Sequence, residues 1–170
     1  VVLGLNLCPC ARRPYLQQAI RFELSGATDD AGCLSDLYLQ LREMDQQPAI
    51  ETLILICPCH LQNFADYNQF LSLAEQLLQQ EGWSGIYQIA SFHPDYLFAD
   101  TTEDDKANWS NRSPYPLLHL IRESTISEAV EAHPDIESIP RRNIMTLRGL
   151  SDKSMQKIFG SRYQVEVDGH

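Results

Sequence analysis

The feature that most constrains the fold of this chain is an unbroken apolar run, LILI, at residues 53–56. Such a run of β-compatible residues is typical of a central strand that is covered on both faces. Ile20, Phe22 and Leu24 alternate with charged residues, which predicts a half-buried strand before it. Residues 86–90 predict a third strand. The chain therefore contains at least three sheet-forming segments.

Two helical patterns separate these strands. Leu34, Leu37 and Leu41 follow helical spacing within residues 33–46, and a second stripe follows Asn63, a residue suited to capping a helix. The order β-α-β-α-β predicts right-handed crossovers and at least partly parallel pairing. We therefore predict an α/β or α+β fold with a layered sheet and additional C-terminal helices. The turns at 57–60 and 93–96 should end neighbouring strands at one edge, where such sheets bind ligands.

The C-terminal third is less regular. Residues 116–121 fit either a strand or the first turns of a helix, because the run is too short for periodicity to decide. A capping box formed by Thr125 and Glu128 predicts a helix that begins near Ile126. Short helices are expected over 139–160, with a loosely held tail after Arg162. At 170 residues, one domain spanning 1–170 is expected.

The formal net charge of −10 argues against binding to nucleic acid or to an anionic membrane surface, since both require clustered lysine and arginine. No apolar run approaches the roughly 20 residues that span a bilayer, and no export signal is recognisable. These observations predict a soluble, cytoplasmic protein. The sequence starts at Val1 within an apolar run and without methionine, which leaves open whether residues are missing upstream.

The charges are unevenly distributed. Residues 23–137 carry a net charge of −16, whereas residues 1–22 and 138–170 each carry +3. One interpretation is that acidic helix faces simply solvate the fold. The other is that the basic ends dock across the acidic middle or supply a pocket for an anion.

The five cysteines are an odd number in a chain without an export signal, so a disulfide framework is not expected. Cys33 fits a small buried hydrophobic residue. Two Cys-Pro-Cys units, at 8–10 and 57–59, invite comparison with zinc sites. Structural zinc sites usually separate their cysteines by two or more residues, so this spacing is a poor match.

Residues 91–123 concentrate polar and aromatic side chains in a segment without sustained hydrophobic periodicity. Loops of this length are uncommon in compact domains and are usually either functional or disordered. This segment holds too many aromatic residues for ordinary disorder. We therefore predict an ordered functional loop over 91–123.

Three segments, LGLNLCP at 3–9, SFHPDY at 91–96 and NRSPYPLLHLIRE at 111–123, resemble the bacterial family known as domain of unknown function 1415. The resemblance covers essentially the whole chain and implies no established activity or cofactor. The chain departs from the family pattern at Cys10 and around residues 57–60. The matching positions include Asn6, Cys8, Pro9, His93, Pro94, Asp95, Tyr96, Asn111, Arg112, Ser113, Pro114, Tyr115, Pro116, His119 and Arg122.

Cys8 is a candidate nucleophile, because Arg12 and Arg13 lie about one helical turn onward and would favour its thiolate. His93 is the candidate general base, with Asp95 as the residue that orients its imidazole. This hypothesis requires the three residues to converge. The alternative is that Cys8 packs as a hydrophobic residue and His93 only caps its turn.

A divalent metal held by His93, Asp95 and His119 is a second hypothesis, since imidazole and carboxylate groups can leave an open position for water or substrate. His-x-Asp is a weak pattern by itself. His119 also lies in an apolar run, where a hydrogen-bonded core histidine is the more common explanation.

Arg112 lies in a proline-braced segment and is the best candidate to bind a carboxylate or phosphate. The alternative is an ion pair that braces the loop through Asp100, Glu103, Asp104 or Asp105. We predict a small-molecule enzyme with an anionic substrate, while a non-catalytic ligand-binding or protein-interaction module remains open. Substrate, reaction and oligomeric state are undetermined. The predicted substrate-binding residues are Asn6, Tyr96, Asn111, Arg112, Ser113, Tyr115 and His119.

Overall fold

The computed structural model describes residues 4–5, 7–8, 11–132 and 138–163. Its centre is a four-stranded sheet with the order β1-β2-β4-β3. β1 is parallel to β2, and β4 is antiparallel to both β2 and β3. The strands are β1 (Ile20–Leu24), β2 (Thr52–Ile56), β3 (Tyr87–Phe92) and β4 (Leu117–Arg122).

The helices complete a mixed α/β fold with C-terminal helices, as predicted. Three of them have side-chain N-caps: Asp29 accepts from Gly32 N, Asn63 from Ala65 N and Asp66 N, and Ser151 from Ser154 N. The helices are α1 (Arg12–Leu16), α2 (Asp30–Gln46), α3 (Phe64–Gln80), α4 (Glu123–Ala132), α5 (Ile139–Arg148) and α6 (Asp152–Phe159), with 3₁₀ helices at Lys106–Ser110 and Gly160–Arg162. No helix in the described ranges combines the length and the apolar character needed to cross a membrane.

One face of the sheet packs against α2 and α3 and forms what we call the sheet core. Strand side chains alternate between the two faces, so every second residue of β2 and β4 enters this core. The fully buried members from these strands and helices include Leu37, Leu41, Leu53, Leu55, Phe70, Leu118 and Leu120.

The opposite face of the sheet carries the intervening residues. Phe22, Ile54, His119 and Ala90 lie side by side across the four strands. On the outermost strand, Phe22 is 63% exposed and Leu24 is 73% exposed. This face therefore becomes apolar and accessible to solvent toward β1.

A second buried group, the Trp109 cluster, consists of Trp109, Leu147, Met155 and Phe159. It joins the 3₁₀ helix Lys106–Ser110 to α5 and α6. The Lys106 ammonium donates to the Leu150 carbonyl at 2.7 Å, and the Arg148 guanidinium binds the Asp105 carboxylate. The cluster is thus assembled from segments that are distant in the chain.

Residues 117–122 form a strand, which resolves the ambiguity left by the sequence. β4 runs directly into α4, so Thr125 lies inside that helix and does not cap it. β2 and β3 point in the same direction, and their carboxyl ends share one edge as predicted. They are not neighbours, however, because β4 inserts between them. The long connection before β4 gives the chain room to reverse direction and enter the sheet.

Candidate functional site

His93 follows β3 and is completely buried. Its Nδ1 accepts a hydrogen bond from the Asp95 backbone N–H at 3.0 Å, so this nitrogen carries no proton. Its Nε2 therefore carries the proton and donates to the Leu61 carbonyl at 3.0 Å. Burial lowers the pKa of His93, although the bond to Leu61 acts in the opposite direction. Both ring nitrogens of this neutral imidazole are thus occupied.

The surroundings of His93 indicate a positioning role. Its ring lies 5.2 Å from the Phe64 ring and 5.1 Å from the Tyr67 ring, measured between centroids. Leu61, which accepts the Nε2 proton, has a left-handed backbone φ of 62°. That conformation is strained for a leucine. The bond from His93 therefore holds the turn before α3 against the loop after β3.

Polar groups close the base of the loop between β3 and β4. The His93 N–H donates to the Asn111 carbonyl at 3.2 Å, and the Ser113 N–H donates to the His93 carbonyl at 3.3 Å. The Asn111 side-chain amide donates to the Ser91 carbonyl at 3.1 Å, and the Ser113 hydroxyl donates to the Tyr115 carbonyl at 2.6 Å. Asn111 and Ser113 therefore brace the loop.

Aromatic residues surround the same loop in two different ways. The Tyr96 ring packs 5.3 Å from the Phe64 ring and 5.0 Å from the Phe98 ring, between centroids. Tyr115 is half exposed. Tyr96 thus contributes to the packing of the loop, whereas Tyr115 presents its ring to solvent.

Arg112 crosses the loop and binds main-chain oxygens. Its Nε donates to the Tyr96 carbonyl at 3.2 Å, and its Nη2 donates to the Glu103 carbonyl at 2.9 Å. Its Cζ lies 5.2 Å from the centre of the Trp109 ring. Burial lowers the pKa of Arg112, while the charges of Asp95 and Glu103 act in the opposite direction. In the described part of the chain, no carboxylate forms a salt bridge with this guanidinium.

Arg162 approaches the same tryptophan from the C-terminal 3₁₀ helix. Its Cζ lies 5.8 Å from the centre of the Trp109 ring, and burial lowers its pKa. No salt bridge to Arg162 exists among the described residues. The Phe159 and Tyr163 rings hold the indole at centroid distances of 4.7 Å and 5.3 Å. The sequence offered only one indication of this residue, the basic character of the C-terminal segment.

Cys8 lies in a different environment from His93. Its carbonyl accepts from the Ala11 N–H at 3.2 Å, and the carbonyl of the preceding residue, Leu7, accepts from the Asn143 side chain at 2.7 Å. Cys8 is half-buried. Arg13, predicted to favour its thiolate, binds Glu51 and Glu128. Within the described ranges, no hydrogen bond joins Cys8 to His93, whose ring nitrogens bind Leu61 and Asp95, and Asn6 lies outside those ranges.

The profile of the family described as "Protein of unknown function (DUF1415)" matches residues 1–157. The chain belongs to this family. No curated protein and no solved structure matches the chain. The match confirms the resemblance carried by the segments at 3–9, 91–96 and 111–123, and it assigns no reaction to them.

His119 of this DUF1415 chain lies on the face of the sheet opposite α2 and α3. The Thr52 hydroxyl donates to the Leu120 carbonyl at 2.7 Å and therefore accepts from His119 Nε2, which lies 2.5 Å away. Burial lowers the pKa of His119 to about 4, so the ring is neutral at pH 7. Its Nδ1 has no hydrogen-bond partner among the described residues.

The predicted metal ligands do not form a ligand set in this structure. His93 packs among the aromatic rings of α3, whereas His119 is bonded to Thr52 on the other side of the sheet. Across the part of the chain that the structure describes, no three histidine, cysteine, aspartate or glutamate side chains are arranged to hold a metal ion.

A pair of buried thiols was not singled out by the sequence. Cys57 directly follows β2, Cys33 lies in the first turn of α2, and both are at most 1% exposed. A hydrogen bond from Cys57, with a smaller contribution from Ser25, lowers the pKa of Cys33 to about 7. The same bond and burial raise the pKa of Cys57. Since Cys59 is exposed, the second Cys-Pro-Cys unit points its thiols into different environments.

The surface of α5 carries a further basic feature, a depression of about 440 Å³. Arg141, Arg142, Met145 and Thr146 contribute to its lining. Both arginines are exposed to solvent. In the described part of the chain neither of these arginines lies over an aromatic ring, whereas Arg112 and Arg162 both lie over the Trp109 ring.

Proposed function

We propose that this protein binds a small anionic molecule with a carboxylate or phosphate group through Arg112 and Arg162. One observation carries the proposal: both guanidinium carbons lie within about 6 Å of the Trp109 ring centre, and neither group has a salt-bridge partner among the described residues. We call these three side chains the Arg-Trp site.

The electrostatics of the Arg-Trp site favour an anion. Withdrawing a charged group from water is unfavourable unless an opposite charge or hydrogen bonds compensate it. Partial burial lowers the pKa of both arginines, and Arg112 is the more enclosed of the two because Arg162 remains exposed to solvent. By contrast, the guanidinium groups of Arg13, Arg21 and Arg148 bind carboxylates. A bound anion would supply the opposite charge that Arg112 and Arg162 lack among the described residues.

Arg112 also has suitable hydrogen-bond donors left. Its Nε and one Nη2 proton are directed to the Tyr96 and Glu103 carbonyls. A guanidinium has five N–H donors, so the Nη1 protons and the second Nη2 proton remain for a ligand. Adjacent Nη1 and Nη2 donors match the two oxygens of a carboxylate or phosphate. The carbonyl bonds would fix the orientation of the fork before the ligand arrives.

The proposal concerns binding and does not extend to catalysis by Cys8, His93 and Asp95. His93 uses both ring nitrogens within the protein, which leaves neither free to accept a proton from a substrate. Among the described residues, Cys8 forms no hydrogen bond to the Arg-Trp site. Its segment reaches the Trp109 cluster through Leu5, which packs against it, and through the bond of Leu7 to α5. An anion-binding site is therefore the function that the geometry supports best.

Isothermal titration calorimetry with inorganic phosphate, and separately with succinate, tests the proposal. Arg112→Gln and Arg162→Gln should each weaken binding about tenfold or more, since a hydrogen bond to a charged group contributes about 1.5–3 kcal/mol. Arg42→Gln is the matched control, because Arg42 is an exposed arginine on α2 without a salt bridge in the described ranges.

The two variants differ in their structural risk. Arg112 braces the loop, so its replacement requires a check of the fold by circular dichroism. The Arg162 side chain forms no hydrogen bond within the described part of the chain, so its replacement gives the cleaner comparison. Binding by neither anion, or equal affinity in the wild type and Arg162→Gln, would contradict the proposed site.

A further inference from the structure

β1 is an edge strand. The backbone N–H and C=O groups of its successive residues point alternately toward β2 and away from it. The Ser25 N–H donates to the Ile56 carbonyl at 2.8 Å, and the Ala19 carbonyl accepts from the Thr52 N–H at 3.3 Å. In a parallel ladder, every second residue bonds to the neighbouring strand. The N–H and C=O groups of Ile20, Phe22 and Leu24 therefore point away from β2. No described residue pairs with them.

The charged side chains of β1, Arg21 and Glu23, form ion pairs within the chain on one face of the strand, while its other face is apolar. Proteins usually blunt an open edge with charges, proline or a bulge, because an exposed row of backbone donors and acceptors can pair with another strand. Here Phe22 is 63% exposed and Leu24 is 73% exposed on one face of the strand. An apolar, unpaired edge of this kind is suited to pairing with a further strand.

The sequence of β1, IRFEL, is complementary to itself about Phe22. In an antiparallel pair of two such strands centred on Phe22, Ile20 lies opposite Leu24 and Arg21 lies opposite Glu23 of the second copy. The apolar side chains then share one face and the charged ones share the other. Opposite charges directly across a strand pair are stabilising, whereas like charges are destabilising.

The backbone directions agree with the same alignment. Phe22 would exchange both its N–H and its C=O with Phe22 of the second copy, as hydrogen-bonded pairs in antiparallel sheets do. Arg21 already lies on a charged face, where its Nε binds Glu23 at 2.6 Å and its Nη1 binds Glu43 at 2.5 Å. A two-fold arrangement would let each guanidinium face the Glu23 carboxylate of the other copy.

We propose that two copies of this chain pair through antiparallel β1 strands and form one continuous eight-stranded sheet. A second copy is favoured over a strand from another protein because its own β1 places Glu23 opposite Arg21 and Leu24 opposite Ile20. Its interface is isologous, as expected for a two-fold dimer. This surface is separate from the Arg-Trp site, so either proposal can fail without the other.

Charge reversal provides the test. Arg21→Glu alone and Glu23→Arg alone each place like charges opposite one another, and each should weaken the dimer about tenfold or more in sedimentation equilibrium. An equimolar mixture of the two variants should recover a heterodimer, because each then meets the opposite charge. Phe22→Lys should also yield monomers, while Leu39→Lys, at an exposed leucine of α2, should leave the dimer intact.

Amide hydrogen exchange of the wild type gives a second readout that needs no variant. In a dimer, the N–H groups of Ile20, Phe22 and Leu24 should be protected as strongly as those of Arg21 and Glu23. In a monomer, only the second pair faces β2 and is protected. A monomeric wild type would overturn the proposal. So would a dimer in which the Phe22 N–H is unprotected and the Glu23→Arg variant dimerises as tightly as the wild type.

Discussion

The sheet core and the Trp109 cluster are held together in different ways. In the sheet core, Leu55, Leu118 and Leu120 are at most 1% exposed and lie on strands joined by regular backbone ladders. The Trp109 cluster contains no strand. Its segments meet through side chains, including the bond from Lys106 to the Leu150 carbonyl and the ion pair of Arg148 with Asp105.

This difference explains why we place the ligand at the Trp109 cluster. In the sheet core the Asp45 carboxylate is satisfied within the protein, since it accepts from both the Trp83 indole and the Tyr87 hydroxyl. Beside Trp109, two guanidinium groups lack carboxylate partners in the described chain. A region with regular hydrogen bonding supplies rigidity, whereas the irregular region retains donors for a ligand.

The largest effect is expected when one buried side chain in each region is truncated to alanine. Leu118→Ala in the sheet core and Met155→Ala in the Trp109 cluster should each lower the free energy of unfolding by about 2–5 kcal/mol. Only Met155→Ala should also weaken anion binding, because it removes packing that supports Trp109. Urea denaturation and calorimetric titration with inorganic phosphate measure the two quantities.

Met155→Leu is the control for this comparison, since a swap of similar volume usually costs less than about 1.5 kcal/mol. The predicted single domain also requires one cooperative unfolding transition in both alanine variants. Two separate unfolding transitions would contradict the single domain. An equal loss of anion affinity in Leu118→Ala would contradict the placement of the ligand at the Trp109 cluster.

Acid should destabilise the sheet through His119. Its pKa falls from 6.5 to about 4 in the folded protein, so the unfolded chain takes up a proton first as the pH falls. The stabilisation is complete above pH 6.5 and is lost as the pH falls toward 4. The loss should reach about 3 kcal/mol, at 1.36 kcal/mol per pKa unit.

His119→Gln should remove this dependence while retaining a donor toward Thr52. The difference in unfolding free energy between wild type and variant should therefore shift in favour of His119→Gln as the pH is lowered from about 7.5 to about 4.5. Urea denaturation at several pH values measures it. A difference that is independent of pH would show that His119 is not buried in its neutral form.

A smaller effect is expected where the N-terminal segment meets α5. Asn143→Ala removes the hydrogen bond to the Leu7 carbonyl, with a cost of about 1 kcal/mol. Cys8 should then react faster with a maleimide in a background of Cys10→Ser and Cys59→Ser. Cys33 and Cys57 should stay slow because they are buried. An unchanged labelling rate would indicate that Asn143 does not hold this segment.

Much of the sheet core could be predicted from local patterns. The run at 53–56 lies within β2, the alternation at 20–24 coincides with β1, and Asn63 caps α3. The position of β4 was not accessible, because insertion between β2 and β3 depends on pairing between distant segments. The short run at 116–121 contains no periodicity that distinguishes a strand from a helix.

The candidate site was less predictable for the same physical reason. The pattern at 93–96 suits either a proton-transfer residue or a turn brace, and only the burial of His93 with its bond to Leu61 distinguishes them. Arg112 was predicted to be an anion anchor, and its hydrogen bonds go to backbone carbonyls of the loop and not to the carboxylates of its acidic side chains. The contact of Arg162 with Trp109 depends on the packing of α6 against the Trp109 cluster, which local sequence patterns do not show.

The most direct test of the account is an NMR titration that observes both tryptophan indoles. Trp83 lies in the sheet core, where its indole donates to Asp45, and the guanidinium groups of Arg112 and Arg162 both lie over the Trp109 ring. Inorganic phosphate or succinate should move the indole N–H signal of Trp109 and the Nε–H signal of Arg112, while the Trp83 signal stays in place. Shifts confined to Arg141 and Arg142 on α5, or no shift at Trp109 at saturation, would contradict the proposed anion site.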